Sequence, residues 1–256
     1  MKKLRSVLIF LSISLNLLAQ KTTELRPKPV HSLGLGVGLS HTALKNSSIS
    51  PLIFSGLGAP LHLTYRRESA KTKHYLQVQY QAQNLKSPFG FSIEEMGGHL
   101  IYGYLKKIKS HEKTTFYVGG NLQIQGVQRT MPQGQNNYSL MVLSTLNISG
   151  SMNYTLNKHL FEAQISVSTF GYNLWTGNSF NRNMDDGFFK TLPQNAQFQL
   201  PPNYLNASLR VSYFLPTASP HWRCRVDYWG NYYGFKERRF SDVLHNQLTT
   251  SVVYQF

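Results

Sequence analysis

One cysteine, Cys224, stands in 256 residues. An internal disulfide is therefore excluded, and stability has to come from packing and backbone pairing. Long apolar runs are missing as well. After residue 18 no stretch approaches the 18 or so apolar residues that a membrane-crossing helix needs. Acidic residues are scarce, 11 against 26 Lys and Arg, giving a net charge of +15. That imbalance fits partners that carry phosphate, either nucleic acid or lipid headgroups. Catalytic signatures are absent: the chain holds no GxSxG, no HExxH and no glycine-rich loop ending in lysine. Gly34, Gly36 and Gly38 alternate, but no helix and acidic residue follow them as a dinucleotide site requires. They read instead as small inward-facing residues or strand bends. Nothing in the sequence calls for a metal or a cofactor.

What is present begins at residue 1. Lys2, Lys3 and Arg5 form a basic segment, residues 7–18 are mostly apolar, and Ala19 follows. This is the layout of a secretory signal peptide covering residues 1–19. Residues 20–29 are expected to be a short periplasmic segment, and 30–256 the folded domain. No Cys stands directly after the apolar run, so a lipid anchor is not expected. Export argues against nucleic acid and points the basic charge at lipid phosphates.

The rest of the chain alternates. Leu76, Val78, Tyr80 and Ala82 are interleaved with Gln77, Gln79, Gln81 and Gln83. In a strand, alternate side chains face opposite sides. A soluble core has no use for four glutamines in a row on one face, whereas a wet lumen does. Ten runs alternate over nine or more residues, the length a tilted strand needs to cross a bilayer. They are about Val30–Thr42, Gly58–Arg67, Lys73–Asn84, Ile93–Ile108, Thr115–Val127, Tyr138–Tyr154, His159–Gly171, Tyr204–Leu215, Trp222–Tyr233 and the C-terminal run from Leu244. Connections after even runs are short and those after odd runs mostly longer, up to Tyr172–Asn203. A mean hydropathy of −0.30 fits such a pattern, because only alternate residues face lipid.

The last run places Leu244, Leu248, Val252, Tyr254 and Phe256 on one face, with Phe256 as the final residue. A terminal Phe on an alternating strand resembles the assembly signal of bacterial outer-membrane β-barrels. The resemblance is to the class of Gram-negative barrel proteins. It implies an all-β, ten-stranded antiparallel up-and-down transmembrane β-barrel with short periplasmic turns and longer extracellular loops. It also implies residence in the outer membrane, contact with its lipids and lipopolysaccharide, and delivery by the barrel-assembly machinery, with Tyr254 and Phe256 carrying the signal. Another envelope protein is a further candidate partner; nucleic acid is not.

Four groups of residues are candidates for function. Inward parity groups Glu162, Arg210, Arg223, Arg225 and Asp227 on neighbouring strands, with His62 and Arg66 facing them. Buried charges need partners, so this cluster is expected to plug a narrow lumen, or else to form a constriction for small anions. The long connection carries Trp175, Phe180, Asp185, Asp186, Phe188 and Phe189, a mixture suited to binding. Lys236, Arg238 and Arg239 are placed to meet lipopolysaccharide phosphates at the outer rim. Arg66, Arg67, Lys71, Lys73, Lys106, Lys107, Lys109 and Lys113 surround two periplasmic turns. A rim hydrolase needs convergent acid and base groups, and Asp185, Asp186, Asp242 and His245 are the candidates placed near the outer rim. No Asp-x-His pair stands at a strand end as in the omptin proteases. His31-Ser32 lies at the wrong end for a lipid A-modifying barrel. The chain is therefore read as a non-enzymatic barrel with a structural, binding or partner-subunit role.

Overall fold

The computed structural model describes residues 29–46, 50–132, 137–176, 196–201, 203–219, 221–235 and 241–256. Among them are twelve strands: β1 (Val30–Asn46), β2 (Ser50–Gly58), β3 (Leu61–Glu68), β4 (Thr72–Lys86), β5 (Ser92–Ser110), β6 (Thr114–Met131), β7 (Asn137–Leu156), β8 (His159–Thr176), β9 (Ala196–Gln199), β10 (Tyr204–Leu215), β11 (Trp222–Phe235) and β12 (Ser241–Gln255). Every pairing is antiparallel.

They make ten wall strands. β2 and β3 both lie between β1 and β4 and are one wall strand broken at Ala59–Pro60. Proline has no N–H to give the ladder, and its carbonyl accepts from Gly38 instead. β9 and β10 both pair with β8 and form a second broken strand, interrupted by a turn in which Asn203 and Tyr204 donate to Leu200. β1 pairs with β12 from Ser32–Gln255 to Asn46–Ser241, so the ring closes. Closure is obligatory in lipid, where an unpaired backbone edge finds no partner.

Which face meets lipid is set residue by residue. Gln77, Gln79, Gln81 and Gln83 are buried inside, whereas Val78 and Tyr80 are 46% and 53% exposed outside. The same exposed apolar series runs along the other walls, including Leu33, Leu35, Val37 and Leu39 on β1 and Leu244, Leu248 and Val252 on β12. Register puts them side by side, Leu35 against Val252 and Leu39 against Leu248. A continuous exposed apolar belt of this size is a membrane surface. No helix among the described residues is long and apolar enough to cross a membrane; the crossing is made by strands.

The wall strands run further outward than the alternation suggests. β1 continues to Asn46 and the next wall strand begins at Ser50, so only residues 47–49 separate them where the sequence places a loop from 43 to 57. β4, β6 and β11 likewise extend past Asn84, Val127 and Tyr233. The reason is chemical. At these outer ends inward positions such as Leu44, Leu85, Val127 and Phe235 are apolar while outward neighbours such as Lys45, Asn84 and Lys86 are polar, so the alternation that marks a strand loses its phase. The inner connections are tight. Asn157, in the turn between β7 and β8, has a φ of 54°, a left-handed conformation that asparagine tolerates and hairpin turns use.

Candidate functional site: the layered lumen

Ten strands about 4.8 Å apart, tilted about 40°, enclose a ring roughly 20 Å across. Side chains fill it in three layers.

The layer nearest the short turns is charged. Ser212 pairs in register with Glu162 on one side and Asp227 on the other, so β8, β10 and β11 bring two carboxylates to one level. Cations hold them apart. Arg66 meets Glu162 at 2.6 Å and Lys73 meets it at 3.3 Å. Arg225 meets Asp227 at 2.7 Å, Arg210 meets the same carboxylate at 3.6 Å, and Ser212 donates to it at 2.5 Å. Arg210 also donates to Gln77 at 2.5 Å, Arg225 to Thr64 at 3.4 Å and Lys73 to Asn153 at 3.0 Å. Arg66 and Arg225 lie over the Phe214 ring, and Lys73 over Tyr117. Arg225 and Lys73 are almost completely buried, where an unpaired charge is costly. Removing either carboxylate leaves such a charge behind.

The middle layer is neutral and polar. Gln79 donates to Gln247 at 2.7 Å, Gln164 donates to the Tyr75 hydroxyl at 2.6 Å, and His62 is hydrogen-bonded to Ser251 at 3.0 Å. Trp229 sits edge-on between His99 and His245, with centroids 5.4 and 5.6 Å away. Glycines make room for these long side chains. A Cβ on Gly103 would lie 2.1 Å from the Tyr75 ring, and one on Gly36 2.5 Å from His62. A cavity of about 20 Å³ remains beside Tyr75, Gln77, Gln164 and Arg210, room for about one water molecule.

The outer layer begins with a second ion pair. Arg129 donates to Glu95 at 2.6 Å and to the Tyr233 hydroxyl at 3.3 Å, while Gln83 donates to Glu95 at 2.5 Å. One register step outward, Leu85 faces Ile93. Leu44, Phe54, Leu85, Ile93, Val127, Met141, Leu143, Tyr204, Tyr233, Phe235 and Val243 form one buried cluster there. The lumen thus changes from charged to amide-rich to apolar on its way out.

Of the residues singled out from sequence, Arg66, Glu162, Arg210, Arg225 and Asp227 form one network, with buried His62 one layer above. Arg223 does not join them. It lies nearer the turns, beside Leu160, Phe214 and Lys158. One residue assigned only to a basic turn is corrected. Lys73 projects into the lumen, as Arg66 does, because Glu68–Lys73 and Arg66–Tyr75 are cross-strand pairs inside the wall. Glu95, Arg129 and Trp229 went unnoticed in the sequence, although inward parity marks all three. His245, the base a rim hydrolase would need, is buried and hydrogen-bonded to Thr42 and Gln247. Trp175 belongs to the outer end of β8. Phe180, Asp185, Asp186, Phe188, Phe189, Lys236, Arg238 and Arg239 lie outside the described residues. Phe256 and His31 exchange two backbone hydrogen bonds of 3.0 and 3.1 Å, and their rings stack. Tyr254 packs between Phe256 and Trp222. Among the described residues no group of three or more His, Cys, Asp or Glu could hold a metal ion.

No family model and no curated protein matches the chain. Among solved structures it is similar to the outer membrane protease OmpT from Escherichia coli, with 7% identity over 93% of this chain and 99% of that one and a TM-score of 0.48. It is also similar to the translocator domain of the autotransporter NalP from Neisseria meningitidis, with 8% identity, coverage of 91% and 90%, and a TM-score of 0.49. A third is Ail, the attachment invasion locus protein of Yersinia pestis, with 8% identity, coverage of 88% and 99%, and a TM-score of 0.39. The class of the molecule rests on its own geometry: a closed, even-stranded antiparallel ring, apolar outside and polar within. That is the architecture of Gram-negative outer-membrane proteins, and the chain is an integral outer-membrane β-barrel.

Proposed function

We propose that this barrel is closed to solutes and serves a structural, binding or partner-subunit role. One observation carries the reading. Arg66 and Glu162 stand on wall strands five places apart in a ring of ten, directly opposite each other, and they touch. Arg210 and Gln77 repeat the relationship one strand further round. Bonds that join opposite walls occupy the axis along which a solute would pass. The apolar cluster further out supports the same reading. An enzymatic role has little support, since the base it would use, His245, is held inside the lumen. Lipopolysaccharide contact through Lys236, Arg238 and Arg239, and an assembly role for Tyr254 and Phe256, rest on the sequence.

A second reading is favoured by one feature. The inner layer holds four cations, Arg66, Lys73, Arg210 and Arg225, against the carboxylates Glu162 and Asp227 and, at its turn edge, Glu68, which accepts from the Tyr117 hydroxyl at 2.9 Å. If that layer were hydrated, the surplus would prefer anions.

Single-channel recording of the folded, purified protein in planar bilayers tests the two readings. Electrical silence is expected. Steady anion-preferring steps that vanish in Arg210→Gln or Arg225→Gln would overturn the closed reading in favour of the second.

A further inference from the structure

A cleft of about 470 Å³ opens at the short-turn end, between the β7–β8 turn and the β10–β11 turn. Among the described residues its lining includes Lys158 and Arg223 and no acidic residue. Among the described residues neither cation has a side-chain hydrogen bond or ion pair, unlike every other arginine that parity directs into the lumen. Thr155 and Asn157 add polar groups at the same edge. The shape is informative too. Leu160 and Phe214 belong to the inward face, whereas Leu215 is on the lipid-facing side, 37% exposed. The cleft therefore folds over the rim, cationic toward the lumen and apolar toward the bilayer. Its volume is in the range of ligand sites.

We propose that this cleft is an anion site for a phosphate group, in which Arg223 and Lys158 bind the phosphate oxygens. A guanidinium fork matches phosphate by two parallel hydrogen bonds, and an ammonium adds a point charge. Leu215 favours a phosphate borne by a membrane phospholipid of the periplasmic leaflet, its glycerol end lying against the apolar edge. The site does not depend on whether the lumen conducts, because it lies on the turn side of the charged layer.

The test is calorimetric titration of the full mature protein in maltoside micelles, which carry no phosphate. Three probes are used: inorganic phosphate, glycerol 3-phosphate and dihexanoyl phosphatidylglycerol below its micellar concentration. The phospholipid is expected to bind most tightly, and each of Arg223→Gln and Lys158→Gln is expected to weaken it by about tenfold. Arg223→Lys should retain most of the affinity. Equal affinity for inorganic phosphate would keep the phosphate site and assign its source to free phosphate. No binding of any probe would overturn the proposal, as would unchanged binding in heat-modifiable, folded Lys158→Gln. That substitution is on an exposed turn and leaves the barrel wall untouched.

Discussion

The Arg66 guanidinium on β3 donates to the Glu162 carboxylate on β8 at 2.6 Å, across the full width of the barrel. Lys73, on the strand beside Arg66, shares that carboxylate at 3.3 Å. Two cations from one wall thus converge on one anion from the opposite wall. Glu162→Ala leaves both uncompensated in a buried layer. The expected loss is about 3–5 kcal/mol of stability, read as a lower midpoint in urea unfolding of the micellar protein. An unchanged midpoint would contradict the pairing.

Glu95 and Arg129 form a separate unit, joined by Gln83 and Tyr233 and bonded to none of the inner charges. Replacing either one alone should cost about 3–5 kcal/mol, whereas Glu95→Leu with Arg129→Met should recover most of that loss, because matched apolar replacements remove both desolvation penalties. A double-mutant cycle on the same unfolding midpoint measures the coupling. Combined with Glu162→Ala the effects should add, since the two sites share no partner.

Gly103 faces Tyr75 across the β4–β5 pair, and a Cβ there would overlap the ring. Gly103→Ala must displace Tyr75 and break its bond from Gln164. Overpacking of this kind costs about 1–3 kcal/mol. Tyr75→Ala in the same background should restore part of the loss, and thermal unfolding followed by heat-modifiable mobility would show it.

Removing Phe256 deletes two backbone hydrogen bonds to His31 and one ring of the stack that includes Tyr254. The expectation is a reduced fraction of folded, heat-modifiable protein in isolated membranes. Wild-type levels would show that the terminal residue is dispensable for closure.

Most of the wall was legible in the sequence, and the outer lumen was not. Alternation reports which face a residue takes only while the two faces differ in polarity. The glutamines of β4 satisfy that condition. At Leu44 and Leu85 the pattern inverts: the inward residue is apolar and its outward neighbours Lys45, Asn84 and Lys86 are polar, so a strand reads as its own end. The shortening also hid Arg129, which stands beyond the apparent end at Val127, whereas Glu95 lies inside its run, where parity alone marks it. Lys73 was hidden differently. One residue from a turn, a lysine has the appearance of a solvated cation, and only its partners across the barrel reveal it as buried. The split between Arg223 and Arg225 was also out of reach, because parity gives the face and not the depth.

The apolar outer layer has a consequence for the order of folding. Leu44 and Phe54 come from the first two wall strands and Phe235 and Val243 from the last two, while Val127 and Met141 come from the middle of the chain. No hairpin can bury this cluster by itself. It gains its burial only when the two ends of the chain meet, so its reward arrives after the loop-closure entropy has been spent. The barrel should therefore assemble as a late, all-or-none event rather than strand by strand. A chain halted before β12 should keep its outer apolar residues exposed and be a substrate for periplasmic proteolysis.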